Sequence, residues 1–458
     1  MKTIDTASSL SPETPAVPPI VGDIETFLRE MIARLEPEPI GPGGAGRPRI
    51  LPSLALWGGL LVCVLRGFTS QLDLWRLLTL HQLWFYPRFP LSDQAIYARL
   101  DEGGTKPLED LFAQTSRVLA DRLAPYAATS LAPFATEVIA LDHTDLDQVA
   151  RRLPALRAVP PGDPRLLPGQ LAGLFDLRRQ QWRTVTFIAN PQQNEKVTAR
   201  ELVFSLPARS LILCDLGFFG FAWFDDLTEH DYFYVSRLRK GTSYQVIHPF
   251  YARDDTFDGI VWLGKYRADR AKHAVRLVRF RHNGTLHSYI TNVLDPHQLP
   301  LAEIARLYAR RWDFELAANL IKQHLDLHLL WSAKDVVIQQ QVWAVLIISQ
   351  ILQALRLEIA GRAQVDPFEV SMDLLVRWFP RLAYDGQDPI QTFVDMGRAA
   401  RFIRPSSRLK IQAPLIPPDE LVPQPADLIL ERIPRHADRN CGPRLGKKST
   451  QQTTKEAN

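Results

Sequence analysis

Three acids, far apart in the chain, have the surroundings of a shared reactive site. In "TEVIALDHTD" four apolar residues, 138–141, run straight into Asp142, and in "SLILCDLGFF" the run 211–214 stops on Asp215. Much later, "LYARRWDFELAANLIKQHL" (307–325) reads as a helix bearing Glu315. Short continuous apolar runs predict strands buried on both faces of a sheet. In open α/β sheets the functional crevice lies beyond the carboxyl ends of the strands. Asp142 and Asp215 are therefore expected to meet there, with Glu315 brought over by its helix. Carboxylates that close repel one another unless a cation neutralises them. Hard divalent ions do so through oxygen ligands, Mg2+ first and Mn2+ as a substitute. Two such ions about 3.5–4 Å apart are the standard device for in-line phosphodiester displacement. The three acids are thus expected to be both catalytic and metal-binding, around two Mg2+ ions.

The helix of Glu315 carries a second pattern. At about 100° per residue, Tyr308, Arg311, Glu315 and Lys322 fall within an arc of about 60°. Leu307, Phe314, Ile321 and Leu325 form the neighbouring apolar stripe, which explains docking but not the mixed-charge row. The row can be a solvated rim with helix-spaced pairs such as Arg311–Glu315, worth a few tenths of a kcal/mol. If Glu315 holds a metal, Tyr308 and Lys322 lie about 10 Å to either side along that face, with Arg311 one turn away. Side chains so placed would grip phosphates of a nucleic acid crossing the site.

Other residues compete for these roles. Asp145 and Asp147 are close to Asp142; on strand alternation Asp145 faces oppositely, and both fit a solvated loop. Thr144 fits either a hydrogen bond ordering the first acid or a plain turn. Asp225 and Asp226 are expected to start an insertion. His324 and His328 are four apart, but "HLDLH" lacks the Glu of HExxH, and His324 points away from Glu315, so packing or surface placement is expected. "GPRLGKKST" (442–450) has three residues between its glycines where a phosphate loop has four, and no strand precedes it, so it reads as a basic tail. The cations Arg237, Arg239, Lys240, Lys265, Arg267 and Arg270, interleaved with Tyr232, Phe233, Tyr234 and Tyr244, fit either a solvated strand face or a nucleic-acid contact.

The elements that must position these groups follow from texture. The chain has 458 residues, 46% apolar and 23% charged, room for several domains, and a net charge of +4 that permits an anionic partner without requiring one. Three dispersed cysteines without CxxC or Cys/His spacing argue against disulfides and structural zinc and fit a reducing cytosol. The N-terminus lacks an apolar signal core, and the apolar stretches 51–68 and 342–355 are expected to be buried helices with no membrane partner. Residues 1–50 read as a mostly disordered tail with one short helix, and 51–130 as a helical domain. Within it, "TSQLDLWRLLTLHQLWFYPRFPLSDQAIYARL" fits either a DNA-binding helix-turn-helix or a plain hairpin, with Ser92 as a cap. Residues 131–335 read as the α/β catalytic core, interrupted by a β-rich insertion at about 221–287 that includes the turn "HNGT". Residues 336–400 read as helical, and 401–458 as a Pro-rich, basic, disordered tail.

Tyr308-x2-Arg311-x3-Glu315-x6-Lys322 resembles the Tyr-Arg-Glu-Lys signature of DDE transposases of bacterial insertion sequences, the insertion-sequence-four family. "TNVLDPHQLPLAEIARLYARRWDFE" resembles that family's strand, short helix and "YxxRWxxE" run; "ALDHTDL" and "LILCDLGFFG" resemble its two aspartate segments. Two positions depart from the pattern: "LAANLIK" after Glu315 lacks the usual Phe-Lys pair, and Leu216 follows the second Asp. The resemblance implies an RNase H-like core; with the texture above, the expected fold is α/β, an RNase H-like catalytic core with a β-rich insertion, flanked by helical N- and C-terminal regions. It implies a divalent-metal triad at Asp142, Asp215 and Glu315, and cut-and-paste transposition. It also implies double-stranded DNA partners, namely transposon terminal repeats and target, joined by a homodimer in the bacterial cytoplasm at the nucleoid. A metal-dependent nuclease without strand transfer, or a non-catalytic DNA-binding relic of a mobile element, are the competing expectations.

Overall fold

A computed structural model describes residues 24–35, 50–146, 169–190, 193, 195–265, 269–327, 330–406 and 411–435. Asp147, Arg267, His328, the 442–450 segment and most of the two expected tails lie outside these residues. The N-terminal part is helical: α1 (Ile24–Ala33), α2 (Ser53–Leu65), α3 (Gln71–Leu80), α4 (Asp93–Glu102) and α5 (Lys106–Leu123). Ser92 caps α4, its hydroxyl accepting from the Ala95 N–H, and Ser70 does the same for α3 through Asp73. Residues 81–92 connect α3 and α4, and the Trp75 indole N–H holds this connection by donating to the Leu91 carbonyl at 2.8 Å. That is much longer than the turn of about three or four residues in a helix-turn-helix.

The central part opens with β1 (Val138–Leu146), β2 (Gly169–Asp176), β3 (Gln181–Ile188), α6 (Glu195–Val203), β4 (Leu211–Cys214), α7 (Phe221–Glu229) and β5 (Phe233–Arg237). An antiparallel meander follows: β6 (Tyr244–Arg253), β7 (Thr256–Leu263), β8 (Val275–His282) and β9 (Thr285–Thr291). Among the described residues one nine-stranded sheet runs in the order β3-β2-β1-β4-β5-β9-β8-β7-β6. β1, β4 and β5 are parallel; β2 and β3 are antiparallel to their neighbours, and β9 closes antiparallel on β5. Strand alternation gives each face its own core. Ile139, Leu141, Ile212, Cys214 and Tyr234 pack with Ala199, Val203, Phe224 and Leu227 of α6 and α7. Val138, Ala140, Leu211, Leu213 and Val235 face the opposite layer of helices.

That layer contains α8 (Leu301–Ala309), α9 (Trp312–Asn319), α10 (Asp335–Ala363), α11 (Met372–Tyr384) and α12 (Pro389–Asp395). α10 is long and apolar enough to cross a membrane by composition, but most of it is buried. It lies between the N-terminal helices and the sheet, where Gln340 donates to the carbonyls of Leu100 and Gly104.

The expected insertion is narrower than 221–287. Residues 221–229 form α7, and 233–237 form β5, a parallel strand of the main sheet. Only the β6–β9 meander extends the sheet, and its β8–β9 turn has positive φ at Asn283 (47°) and Gly284 (76°), as the Asn-Gly pair predicts. Asp225 does not start an insertion loop: buried in α7, it accepts the backbone N–H groups of Lys272 and His273 just before β8. The Pro-rich composition of 401–458 misled for 411–435. Leu421, Leu428 and Leu430 pack on Phe250, Ile260 and Trp262, and backbone bonds tie Val422 to Phe250 and Leu430 to Ala274. Repeated prolines disfavour a long helix but leave an extended strap free to pack.

Candidate active site

Parallel pairing sets the first two acids. Leu141 of β1 is opposite Cys214 of β4, the last pair of that ladder, so Asp142 and Asp215 come next on neighbouring strands. Neighbouring strands lie about 4.8 Å apart, and the two side chains share the face of Ala140 and Leu213. The expectation that β1 ends on Asp142 needs correction. β1 continues to Leu146, paired only with β2 beyond Leu141, so Asp142 marks the end of β4's partnership and not of the strand. β2 was written to fit β1 along that whole length, an extension the apolar run could not reveal.

The segment 307–325 is not one straight helix. α8 ends at Ala309, a tight turn through Arg310 and Arg311 leads into α9, and a π-helical turn, Leu320–His324, follows. The arc of about 60° drawn on an ideal helix therefore does not exist as such. The four side chains nonetheless point toward the same crevice. Arg311 Nη1 donates to Asp142 Oδ2 at 2.7 Å and lies 2.8 Å from Glu315 Oε1; its Nε is 3.7 Å from Asp215 Oδ1. Tyr308 Oη is 3.5 Å from Asp215 Oδ1, and Lys322 Nζ donates to Thr144 Oγ1 at 2.7 Å.

Two placements differ from expectation. Arg311 stands among the acids, not a turn away from them. Tyr308 is buried, its ring 4.8 Å from that of Tyr289, so its hydroxyl faces Asp215 and has little surface to offer a phosphate. Asp145 faces away from Asp142 and accepts from Gln170 Nε2, as alternation requires. Thr144 is a strand residue bonded to Lys322, not a turn former. His324 is exposed.

Burial dominates the electrostatics. It pushes Asp142 up to about 6, against the opposing pull of the His143 N–H and Arg311; the charges of Asp215 and Glu315 add to the rise. Glu315 is also raised, first by burial, despite Arg311. Burial works against the Arg311 charge, but Glu315, Asp215 and Asp142 outweigh it and hold its pKa above the ordinary value. The protein thus keeps a cation among three acids, two of which, Asp142 and Glu315, resist ionising.

Several positioning residues were not singled out by sequence reasoning. Gly173 of β2 is opposite Asp142; a Cβ there would sit 3.0 Å from Trp182 Cζ3 and 3.2 Å from Phe314 Cε2. A glycine inside a strand signals such close approach, here of the α9 ring to the sheet. Asp313, fully buried beside that ring, accepts from Gln180 Nε2 at 2.9 Å and ties α9 to the β2–β3 turn. Arg237, already named among the basic residues of the expected insertion, follows Ser236, which is opposite Cys214, so it extends the row of Asp142 and Asp215 one strand further. It is exposed and belongs to β5.

The donor set suits a hard divalent ion: three carboxylates on one crevice, with Glu315 Oε2 buried and lacking a hydrogen-bond partner. As arranged, no group of three His, Cys, Asp or Glu among the described residues can hold a metal ion, and the Arg311 guanidinium stands between the acids instead.

The family described as "Transposase DDE domain" matches residues 171–351, a span that includes Asp215 and Glu315 and begins after Asp142. Transposase InsG for insertion sequence element IS4, from Escherichia coli (strain K12), is 25% identical over 176 residues. That alignment covers 36% of this chain and 39% of the relative, so the chain spans well under half of the curated relative it matches. Among solved structures, the cryo-EM structure of a piggyBac transposase synaptic complex with hairpin DNA covers 86% of this chain and 84% of its own, at 10% identity and a TM-score of 0.39. The sequence matches make the chain similar to DDE transposases over part of its length.

Proposed function

We propose that the chain is a DNA transposase whose Asp142, Asp215 and Glu315 form one divalent-metal site for phosphodiester cleavage and strand transfer. The observation that carries the reading is the placement of two acids side by side beyond the β1–β4 ladder, with Glu315 joined to Asp142 through Arg311. The sheet order β3-β2-β1-β4-β5, with β1, β4 and β5 parallel, supports reading the core as RNase H-like, extended by the β6–β9 meander. When bound, Mg2+ or Mn2+ would supply the charge that activates an attacking oxygen and stabilises a leaving one.

The chain's own groups supply the rest. Asp142, Asp215 and Glu315 would hold the ions. Tyr308 keeps Asp215 oriented from beneath. Arg311 and Lys322 provide donors for phosphate oxygens of double-stranded DNA at a transposon end. Hydrolysis at the end would free a 3′-OH, which would then attack target DNA in a second in-line displacement at the same acids. Two copies would pair two ends.

The test uses a supercoiled plasmid carrying the coding region together with the DNA that flanks it on both sides. Wild type should cleave at the ends and yield joined product with Mg2+. Glu315→Gln should lose cleavage by on the order of a thousandfold or more while retaining end binding. Persistent Mg2+-dependent nicking by that variant would remove the assignment. Supplying pre-cut ends with a supercoiled target separates a nuclease, which gives no joined product, from a transposase.

A further inference from the structure

We infer that Arg311 is a built-in counter-ion that occupies the divalent-cation position of the DNA-free protein and exchanges out of it when a phosphate arrives. The inference rests on the metal-site reading above and adds to it a coupling between DNA and metal binding.

One guanidinium contacts all three acids: Asp142 at 2.7 Å, Glu315 at 2.8 Å and Asp215 at 3.7 Å. Its side chain is only 7% exposed. Arginine does not deprotonate in proteins, so this charge leaves the site only by moving. While it stays, an entering divalent ion meets like charge at short range and finds its ligands already engaged.

An exit is built beside it. Arg311 lies in the turn between α8 and α9, where no long helix fixes it from both sides. Its guanidinium carbon lies 5.4 Å from the ring centre of Trp312, which is 58% exposed, and 5.9 Å from that of the buried Tyr308. Rotation toward Trp312 keeps a cation–π partner while carrying the charge to the surface. There its planar fork suits a phosphate, bidentately. A DNA phosphate would thus draw Arg311 out and uncover the acids. By linkage, ions that bind the uncovered acids must in turn favour DNA binding.

The test is calorimetric titration of Mn2+ into the full-length, DNA-free chain, comparing wild type, Arg311→Gln, Arg311→Lys and the double variant Arg311→Gln/Asp142→Asn. Arg311→Gln should bind Mn2+ about tenfold or more tightly than wild type, within the usual range of site–site coupling. Arg311→Lys, whose shorter head cannot reach all three acids, should fall between the two. The double variant should lose the gain. A short duplex, corrected for its own Mn2+ uptake, should tighten Mn2+ binding more in wild type than in Arg311→Gln.

Equal affinity in wild type and Arg311→Gln, with binding abolished in the double variant, overturns the exchange and leaves the metal site standing. A gain that survives in the double variant puts the ion elsewhere and also overturns it. No Mn2+ binding by any variant, with or without duplex, removes both the exchange and the metal site. If Arg311→Gln does not melt cooperatively, Arg311→Lys carries the comparison, and affinity no higher than wild type overturns the inference.

Discussion

At the scale of single residues, Asp142 carries a cost that the fold accepts. Burial raises its pKa to about 6 from the ordinary 3.8. Between about pH 4 and 6 the folded protein therefore holds a proton that the unfolded chain has lost. Asp142's contribution is intact below that window and is lost as pH rises through it, on the order of 1–3 kcal/mol in metal-free protein. Asp142→Asn should therefore stabilise the metal-free protein at pH 7, and urea melts in chelator across pH 4–7 should show a flatter stability profile for the variant. An identical profile would contradict the burial argument. The identity of Asp142 was legible because an apolar run ended on it; its depth was not, since burial depends on α9, whose contact with Gly173 no local pattern encodes.

At the scale of elements, the sequence carried strand identity better than helix continuity. The runs 138–141 and 211–214 gave adjacent parallel strands because four apolar residues in a row bury both faces. The segment 307–325 kept its helical period yet broke at Arg310–Arg311 and widened at Leu320–His324. Tertiary demands impose both features: Arg311 turns into the acids, and Lys322 reaches Thr144. Strand register also exposes Arg237, which composition alone had placed in a basic insertion. Next to Asp215 and exposed, it would meet DNA backbone in the proposed complex. Arg237→Ala should weaken binding of end DNA and unrelated DNA alike, and reduce the slope of log affinity against log salt by about 1. A loss confined to one sequence would assign Arg237 to base reading instead.

At the scale of the whole molecule, α10 joins the helical domain to the sheet through buried amides. Gln350 is fully buried and accepts from the Trp182 N–H at 2.8 Å; its own amide donates to the Trp182 carbonyl and Ser116 Oγ. Gln350→Leu keeps the volume but orphans two backbone groups of β3, at a cost of about 2–4 kcal/mol by urea denaturation. Trp182 packs edge-on against Phe314, 5.1 Å between centroids, so the loosening should reach α9 and reduce cleavage as well as stability. A variant as stable as wild type would show that solvent or repacking satisfies Trp182. This docking was not readable in advance: 342–355 announced a buried helix, but nothing in its apolar pattern named β3 as its partner. The strap at 411–435 was hidden for a similar reason, since its few leucines acquire meaning only against Trp262 and Phe250.

The central claim is that Asp142, Asp215 and Glu315 serve one divalent site when DNA is bound. Anomalous diffraction from crystals of the end-DNA complex grown with Mn2+ tests it most directly. The account predicts anomalous peaks bounded by these three carboxylates, with Arg311 turned away onto a phosphate. Peaks confined to other residues, with Arg311 still seated between Asp142 and Glu315 in the DNA complex, would contradict it.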